Sequence, residues 1–318
     1  MHFTQPSFGS LAVRRLAILV LLGLFPSSCS RSHTQAAALP QVPPVEFVGE
    51  WGVHGDAPGQ LDDPVGPAID VDHRVYFADR AARFVQKFDL RGTPLLSFQN
   101  AAARGASAIA VDSGGAIYLL NAQAGEIQVF FPEGPLLRVL RVAPQRNFEG
   151  PFGFSVDADG KVYVPDPAGG RIQVLSSSGH LERTWRLPPM AGGAAGRPIF
   201  ASAGPDGFVY VYDAKASRIE KFTSTGEQTA TWPNREGAAP LLGLAAASKY
   251  VFALRGASPH LQGWTAGGQS ALTDDLGGRL DVASPAKLSF AVDAHGNMVV
   301  LDSGVPRVLQ FRIHLDFP

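Results

Sequence analysis

The chain has 318 residues and a formal net charge of −1, and only 17% of its residues are charged. This balance, without a basic run or stripe, excludes binding to nucleic acid by bulk electrostatics. The 35 Gly and 25 Pro residues, spread between short apolar segments, are typical of an all-β protein with many turns.

The first 28 residues carry Arg14 and Arg15, no acidic residue, and the apolar run Leu16–Phe25. A basic segment followed by a short apolar run predicts a secretory signal peptide, because a membrane-spanning helix needs about 20 apolar residues. The stretch LFPSSC before and including Cys29 resembles a bacterial lipoprotein signal, although Pro26 stands where that family usually has Leu. We therefore predict a signal peptide over 1–28, lipidation at Cys29, and a flexible tether over 29–44.

These features place the protein in the bacterial envelope, held at the membrane through its lipid anchor only. Ser30 follows the cysteine, whereas signals for retention in the inner membrane usually have Asp there, so the outer membrane is favoured. The alternative is a plain signal peptide with an incidental cysteine. Because the chain has a single cysteine, no intramolecular disulfide can form.

A repeated unit of about 45 residues fills the rest of the chain and is the strongest pattern in the sequence. In five copies a predicted strand of alternating apolar residues ends at one position, and a Gly follows 13 residues later. A second predicted strand lies between that position and the Gly. The residues at that position are Asp79, Asn121, Asp166, Asp213 and Arg255. A sixth copy, 298–311, lacks the Gly. One more apolar strand precedes each unit and another follows it, as 68–72 and 94–98 do in the first copy. Each repeat therefore has four predicted strands, which is typical of a propeller blade.

The repeat resembles the NHL family, most clearly in PFGFSVDADGKVYVPDPAGGRIQVL over 151–175. The resemblance implies an all-β, six-bladed propeller of four-stranded antiparallel blades over 45–318. Only 16 residues follow Asp302, too few for both remaining strands of the sixth blade. We therefore predict that VEFVGEW (45–51) supplies the outer strand of the last blade and closes the ring.

We name the four strands of each blade a to d in chain order. In this topology strand a of each blade lines the central channel. The loops that lead from strand d of one blade to strand a of the next, the d–a loops, surround one end of this channel. Charged residues near the start of strand a in five blades could form a mixed ring around a ligand. They are Asp63, Arg104, Glu149, Arg197 and Lys287. The alternative is that these residues are solvated loop residues. A charged ring would favour a polar or anionic ligand.

Other polar residues have structural interpretations. The Asp and Asn residues that end strand b, and a second set of aspartates in Val-Asp pairs, are predicted to bond the backbone of their own turns. The first set is Asp79, Asn121, Asp166, Asp213 and Asp302. The Val-Asp set is Asp72, Asp112, Asp157 and Asp293. The equivalent Trp51, Trp185 and Trp232 are expected to pack between blades, with carbohydrate stacking as the alternative. His73, His180 and His295 fall in turns of different blades, and only His54 lies in a d–a loop, so we predict no metal site and no cofactor.

Two classes of function remain open. The first is a binding or scaffold propeller that recognises a protein, peptide or glycan, since the chain has no GxSxG, P-loop or dinucleotide motif. The second is a metal-dependent propeller enzyme similar to gluconolactonase-type hydrolases or lyases, with a site in the channel. Asp63 and Glu149 would be its nearest candidate ligands.

Overall fold

The computed structural model describes residues 44–144, 152–190, 192–233, 241–256, 259–280 and 287–315. All of them lie in one structural unit, Val42–Pro318. They form six four-stranded antiparallel sheets and one short 3₁₀ helix, Ala101–Gly105. The predicted signal peptide, the predicted lipidation site Cys29 and the predicted tether up to residue 43 lie outside the described residues. Within those residues no helix is long and apolar enough to span a membrane.

The sheets follow one another along the chain as blades 1 to 6, each listed from strand a to strand d. Blade 1 has β2 (Pro64–Ile69), β3 (Val75–Asp79), β4 (Phe84–Phe88) and β5 (Pro94–Gln99). Blade 2 has β6 (Ala108–Val111), β7 (Ile117–Asn121), β8 (Glu126–Phe130) and β9 (Leu136–Arg141). Blade 3 has β10 (Ser155–Val156), β11 (Val162–Asp166), β12 (Arg171–Leu175) and β13 (Leu181–Arg186). Blade 4 has β14 (Pro198–Ala203), β15 (Phe208–Asp213), β16 (Arg218–Thr223) and β17 (Gln228–Pro233). Blade 5 has β18 (Leu241–Ala247), β19 (Tyr250–Arg255), β20 (His260–Thr265) and β21 (Ser270–Asp275). Blade 6 has β22 (Leu288–Val292), β23 (Asn297–Asp302), β24 (Arg307–Ile313) and β1 (Val45–Trp51).

The six a strands form the inner wall of a closed ring. Each a strand contacts the a strand of the next blade, and β22 returns to contact β2. Strand b is the most buried strand of every blade, because both of its faces are covered by neighbouring blades. The predicted six-bladed, all-β propeller with antiparallel blades is therefore confirmed.

The first described strand closes the ring, as predicted. β1 runs antiparallel to β24, with Val45 opposite Ile313 and Trp51 opposite Val308. The pairing joins the first and the last described strands in one blade, so that the outer strand of blade 6 comes from the N-terminal side. Trp51 continues the closure into blade 1, where its ring lies 5.1 Å from that of Phe88 and its Nε1 donates to the carbonyl of Leu90.

The constant 13-residue spacing has a packing explanation. The Gly that ends each spacing lies in the c–d turn at positive φ, a conformation that favours glycine. A Cβ there would meet a bulky side chain from strand d of the preceding blade, with its nearest atom at 2.1–2.8 Å. The pairs are Gly92 with Trp51, Gly134 with Phe98, Gly179 with Leu140, Gly226 with Trp185, and Gly268 with Trp232. The three tryptophans therefore pack between blades, as predicted.

Strand a of blade 1 lies earlier in the chain than the sequence pattern predicts. We expected it over 68–72 in blade 1, but β2 ends at Ile69 and the chain turns at Asp70. The repeat offers two acidic residues two positions apart, and the first of them, Asp70, closes the hairpin. Its carboxylate accepts hydrogen bonds from the backbone N–H groups of Asp72 and Arg74. Asp72 is therefore not the turn-closing residue that we predicted.

Candidate functional site

A cavity of about 330 Å³ opens at the end of the channel surrounded by the d–a loops, which we call the d–a mouth. Its apolar wall includes Phe152, Phe200 and Phe290, contributed by three different blades. The charged residues at its rim are Asp63, Arg80 and Lys287, and Ser107, Ser289 and Ser303 add hydroxyl groups. The mouth thus combines aromatic surface with cationic and hydroxyl donors, a composition suited to a small or extended ligand.

Asp63 does not face the cavity as a free carboxylate. Arg80, just after strand b of the same blade, donates from Nε and Nη2 to the two carboxylate oxygens of Asp63 at 2.8 and 2.6 Å. This bidentate geometry is the strongest form of carboxylate–guanidinium pair. By contrast, Lys287 is exposed and makes no ion pair within the part of the chain that the structure describes. The net charge contributed by these three residues is therefore positive.

The predicted ring of five charged residues is only partly assembled. Asp63 and Lys287 line the d–a mouth. Arg104 lines an adjoining cavity of about 440 Å³, which shares Arg80 and Ser107 with the mouth. Arg197 is exposed and is not among the residues that line either cavity; its backbone N–H donates to Asp213. Glu149 lies outside the described residues. Arg80, which the repeat pattern does not single out, joins the site because the b–c turn of blade 1 reaches the same mouth.

The wall of the d–a mouth alternates glycine with bulky apolar residues around the ring. A Cβ added to the glycine of blade 1, 3 or 5 would lie 2.6–3.1 Å from the apolar side chain of the following blade. The pairs are Gly66 with Ile109, Gly153 with Phe200, and Gly243 with Phe290. The bulky side chains therefore fit side by side in the channel wall because the preceding blade has no side chain at that level.

The opposite end of the channel, which we call the a–b mouth, has a different chemistry. Its cavity of about 420 Å³ is lined by the a–b turns, including several acidic turn residues and one histidine. The acidic residues nearest the ends of the a strands are Asp70, Asp112, Asp157 and Asp293, and the histidine is His295. The two cavities share no lining residue. Among the described residues, the d–a mouth therefore carries a net positive charge and the a–b mouth is acidic.

Three of these aspartates perform the same two tasks. One carboxylate oxygen accepts from two backbone N–H groups of the a–b turn, and the other accepts from a tyrosine hydroxyl on strand b. The pairs are Asp70 with Tyr76, Asp112 with Tyr118, and Asp157 with Tyr163. Burial, followed by the adjacent carboxylate, raises the pKa of Tyr118 to about 12 and raises the pKa of each of the other two tyrosines as well. In blade 4, Asp206 accepts from Tyr210 in the same manner.

Asp293 of blade 6 departs from this pattern because Val299 occupies the position of the tyrosine, opposite Ala291. Its Oδ1 still accepts from the backbone of His295 and Asn297. Its Oδ2 instead accepts from Asn297 Nδ2 and lies 2.6 Å from Nδ1 of His73, which belongs to blade 1.

His73, Asp293 and His295 form a cluster that we call the junction triad. One potential ligand atom of each residue lies within 4.8 Å of the others, and the two imidazole centroids are 4.7 Å apart. The expectation that the histidines do not converge is therefore wrong for His73 and His295. A signal was present in the sequence: His73 takes the place of a turn glycine and Val299 that of a tyrosine.

The structural aspartates at the ends of strand b behave as predicted. Asp79 accepts from the backbone of Asp62 and Ala82, and Asp213 accepts from Arg197 and Lys215. These carboxylates are buried within separate blades and satisfy turn N–H groups. Their role is to fix the b–c turns that carry Arg80 and its equivalents towards the d–a mouth.

Comparison with known proteins supports the fold and leaves the family open. Neither a protein-family model nor a curated protein matches the chain. The structure is similar to a streptogramin B lyase, with 16% identity, a TM-score of 0.59, and coverage of 85% of this chain and 89% of the other. It is also similar to virginiamycin B lyase from Staphylococcus aureus, with 14% identity, a TM-score of 0.57, and coverage of 86% and 90%. A catalytically inactive variant of that lyase with quinupristin gives 14% identity, a TM-score of 0.55, and coverage of 86% and 89%. At these identities the likeness shows the propeller fold alone.

Proposed function

We propose that this protein is an NHL-type binding propeller of the bacterial envelope, anchored through Cys29, whose d–a mouth binds a peptide by its carboxylate end. The observation that carries the proposal is the pairing of a three-phenylalanine wall with Arg80 and Lys287 at one mouth of the channel. A peptide with a free carboxyl terminus offers both apolar side chains and an anionic group. A neutral glycan would leave the ammonium group of Lys287 without an anionic partner.

The charges at the rim support an anionic ligand. The one carboxylate among the described residues lining the mouth, Asp63, is already held by Arg80. Lys287 and, in the adjoining cavity, Arg104 extend the positive surface. Opposite charges raise both the encounter rate and the affinity of a ligand, and salt reduces this effect.

An enzyme is the second candidate, and one observation favours it: the solved structures that share the fold include a streptogramin B lyase and a virginiamycin B lyase. The described wall of the d–a mouth, however, contains no histidine. Incubation of the purified chain with a streptogramin B substrate, followed by mass spectrometry, tests this candidate directly.

Isothermal titration with matched tripeptides tests the binding function. Acetyl-Ala-Phe-Ala with a free carboxyl terminus is compared with its C-terminal amide, using the full chain in detergent. We expect the acid to bind at least about ten-fold more tightly than the amide, because a hydrogen-bonded charge contributes about 1.5–3 kcal/mol. Lys287→Ala is expected to weaken binding of the acid by about three- to ten-fold.

Lys249→Ala is the matched control, because Lys249 is also exposed but lies in the a–b turn of blade 5, at the opposite mouth. It should leave the affinity unchanged. Equal binding of acid and amide, or equal effects of the two lysine substitutions, would contradict the proposal.

A further inference from the structure

The junction triad lies where the ring closes, at the contact between blade 6 and blade 1. His73 comes from the a–b turn of blade 1, whereas Asp293 and His295 come from the a–b turn of blade 6. Asp293 is buried, while His73 is half-buried and His295 is exposed to the a–b mouth. Two imidazoles and one carboxylate are thus presented to the same small space from two blades.

His73 occupies a backbone position that other blades give to glycine. Its φ is +63°, in the left-handed region. The equivalent turn residues of blades 2, 3, 4 and 6 are glycines at φ values of +76° to +83°, namely Gly115, Gly160, Gly207 and Gly296. A side chain at such a position carries a conformational cost that surrounding interactions must offset. Here the strained turn aims the imidazole at Asp293.

Asp293 is prepared for this contact by its own surroundings. With valine in place of tyrosine at position 299, its Oδ2 lacks the hydroxyl partner that the equivalent aspartates of blades 1, 2 and 3 have. Asn297 holds that oxygen at 2.6 Å, and Arg312 in turn donates to Asn297 Oδ1 at 2.7 Å. The carboxylate is therefore fixed in orientation by neighbours that leave its remaining capacity directed at His73. Outer-shell hydrogen bonds of this kind are typical of carboxylates and imidazoles that bind metal ions.

We propose that the junction triad binds a borderline divalent cation of the Zn²⁺ type. Imidazole nitrogen and carboxylate oxygen are ligands of Zn²⁺, and three protein ligands leave a position for water. The ion would take the place of the proton that His73 Nδ1 and Asp293 Oδ2 share at 2.6 Å, and that proton would pass to the solvent. Asp70, Asp112 and Asp157 line the same mouth and add negative potential around the site.

Binding at this place would link the first blade to the last one independently of strand pairing. Because the site requires the closed ring, the ion would bind the folded chain and not the unfolded chain. It would therefore raise thermal stability in a concentration-dependent manner. This site lies at the opposite mouth from the proposed peptide site, and neither proposal depends on the other.

The test uses the full chain in detergent, without an affinity tag and with Cys29→Ser, so that the single thiol cannot bind zinc. After treatment with EDTA and removal of the chelator, the chain is titrated with ZnCl₂ by calorimetry, and thermal unfolding is recorded with and without Zn²⁺. We expect one ion per chain and a higher melting temperature with Zn²⁺. His73→Gly and His295→Ala should each lower the affinity at least about ten-fold.

His73→Gly is an informative variant because glycine is the residue that the other turns use, so the fold should tolerate it. His180→Ala is the matched control, since His180 lies exposed in the c–d turn of blade 3 and should not affect binding. The proposal is overturned if the parent chain binds no zinc, or if His73→Gly binds zinc as tightly as the parent. An equal loss in His180→Ala would also overturn it, because that result would indicate dispersed surface binding.

Discussion

Replacement of Gly226 by alanine measures how blades pack against each other. Gly226 lies in the c–d turn of blade 4 at φ +91°, and the atom nearest to a Cβ placed there would be Cδ2 of Trp185, at 2.7 Å. Trp185 belongs to strand d of blade 3 and is itself buried between Tyr163 and Phe222. Neither the backbone nor the indole has an easy way to relax.

The expected cost has two parts. A non-glycine residue at positive φ costs about 1–2 kcal/mol. Overpacking against a buried side chain adds about 1–3 kcal/mol. We therefore expect Gly226→Ala to lower the free energy of unfolding by about 2–5 kcal/mol, measured as a shift of the urea midpoint at constant slope.

Gly207→Ala separates the two parts. Gly207 lies in the a–b turn of the same blade at φ +78°, and a Cβ there would meet nothing within 4 Å. Its replacement should cost only the backbone part, about 1–2 kcal/mol. The excess cost of Gly226→Ala is then the contact with Trp185.

A double-mutant cycle with Trp185→Leu completes the test, because the smaller side chain removes the clash. In that background Gly226→Ala should cost no more than Gly207→Ala, which corresponds to a coupling energy of about 1–3 kcal/mol. If the coupling is zero, the 13-residue spacing reflects backbone conformation only, and the packing explanation is wrong.

Two further predictions concern the tyrosine pairs and the closing strand. Folding raises the pKa of Tyr118 from 10.0 to about 12, so its contribution to stability should be complete below pH 10.0 and lost as the pH rises towards 12. In urea unfolding over this range, the free energy of unfolding should fall less steeply with pH for Tyr118→Phe than for the parent chain. Identical pH slopes for the two chains would contradict the assignment. Trp51→Ala should lower the free energy of unfolding by about 2–4 kcal/mol, because it removes a half-buried indole from the contact between β1 and blade 1. The shift of the urea midpoint measures this change. A loss below about 1 kcal/mol would show that β1 is not required for closure of the ring.

The number of blades could be predicted from sequence because it depends on contacts that recur in every repeat. Gly92 and its equivalents must accommodate a bulky residue from the preceding blade, and this requirement keeps the spacing constant. The closing strand was predictable for a related reason: Trp51 has the same relation to Gly92 as Trp185 has to Gly226. Such contacts connect neighbours in sequence order, so the pattern itself records them.

The error at blade 1 has a local physical cause. The stretch AIDVD places Asp70 and Asp72 two residues apart, and either could begin a hairpin. The structure uses Asp70 because it lies six residues before Tyr76, the separation also found between Asp112 and Tyr118. The distance to the tyrosine, and not the Val-Asp pair alone, identifies the turn.

The d–a mouth was harder to predict because its loops do not repeat. Asp63 and Lys287 reach the cavity and Arg197 does not, although all three precede a strand a. The d–a loops differ in sequence from blade to blade, so no other blade provides a reference for where such a side chain lies. Arg80 was missed because it follows a strand b, and only the pairing of β2 with β3 brings it opposite Asp63, whose carbonyl accepts from its backbone N–H.

The a–b mouth allows the opposite kind of inference, because the turns of blades 1, 2, 3 and 6 have the same length and the same aspartate contacts. In a strict repeat each substitution can be compared with its equivalents in the other blades, and an isolated exception requires its own physical explanation. Two exceptions, His73 and Val299, belong to blades that are far apart in sequence and adjacent in the ring. The loss of a tyrosine hydroxyl leaves an oxygen of Asp293 available, and the imidazole from blade 1 contacts that oxygen. Two departures that compensate each other across the closing contact indicate a site formed by the ring as a whole, since neither blade contains it alone.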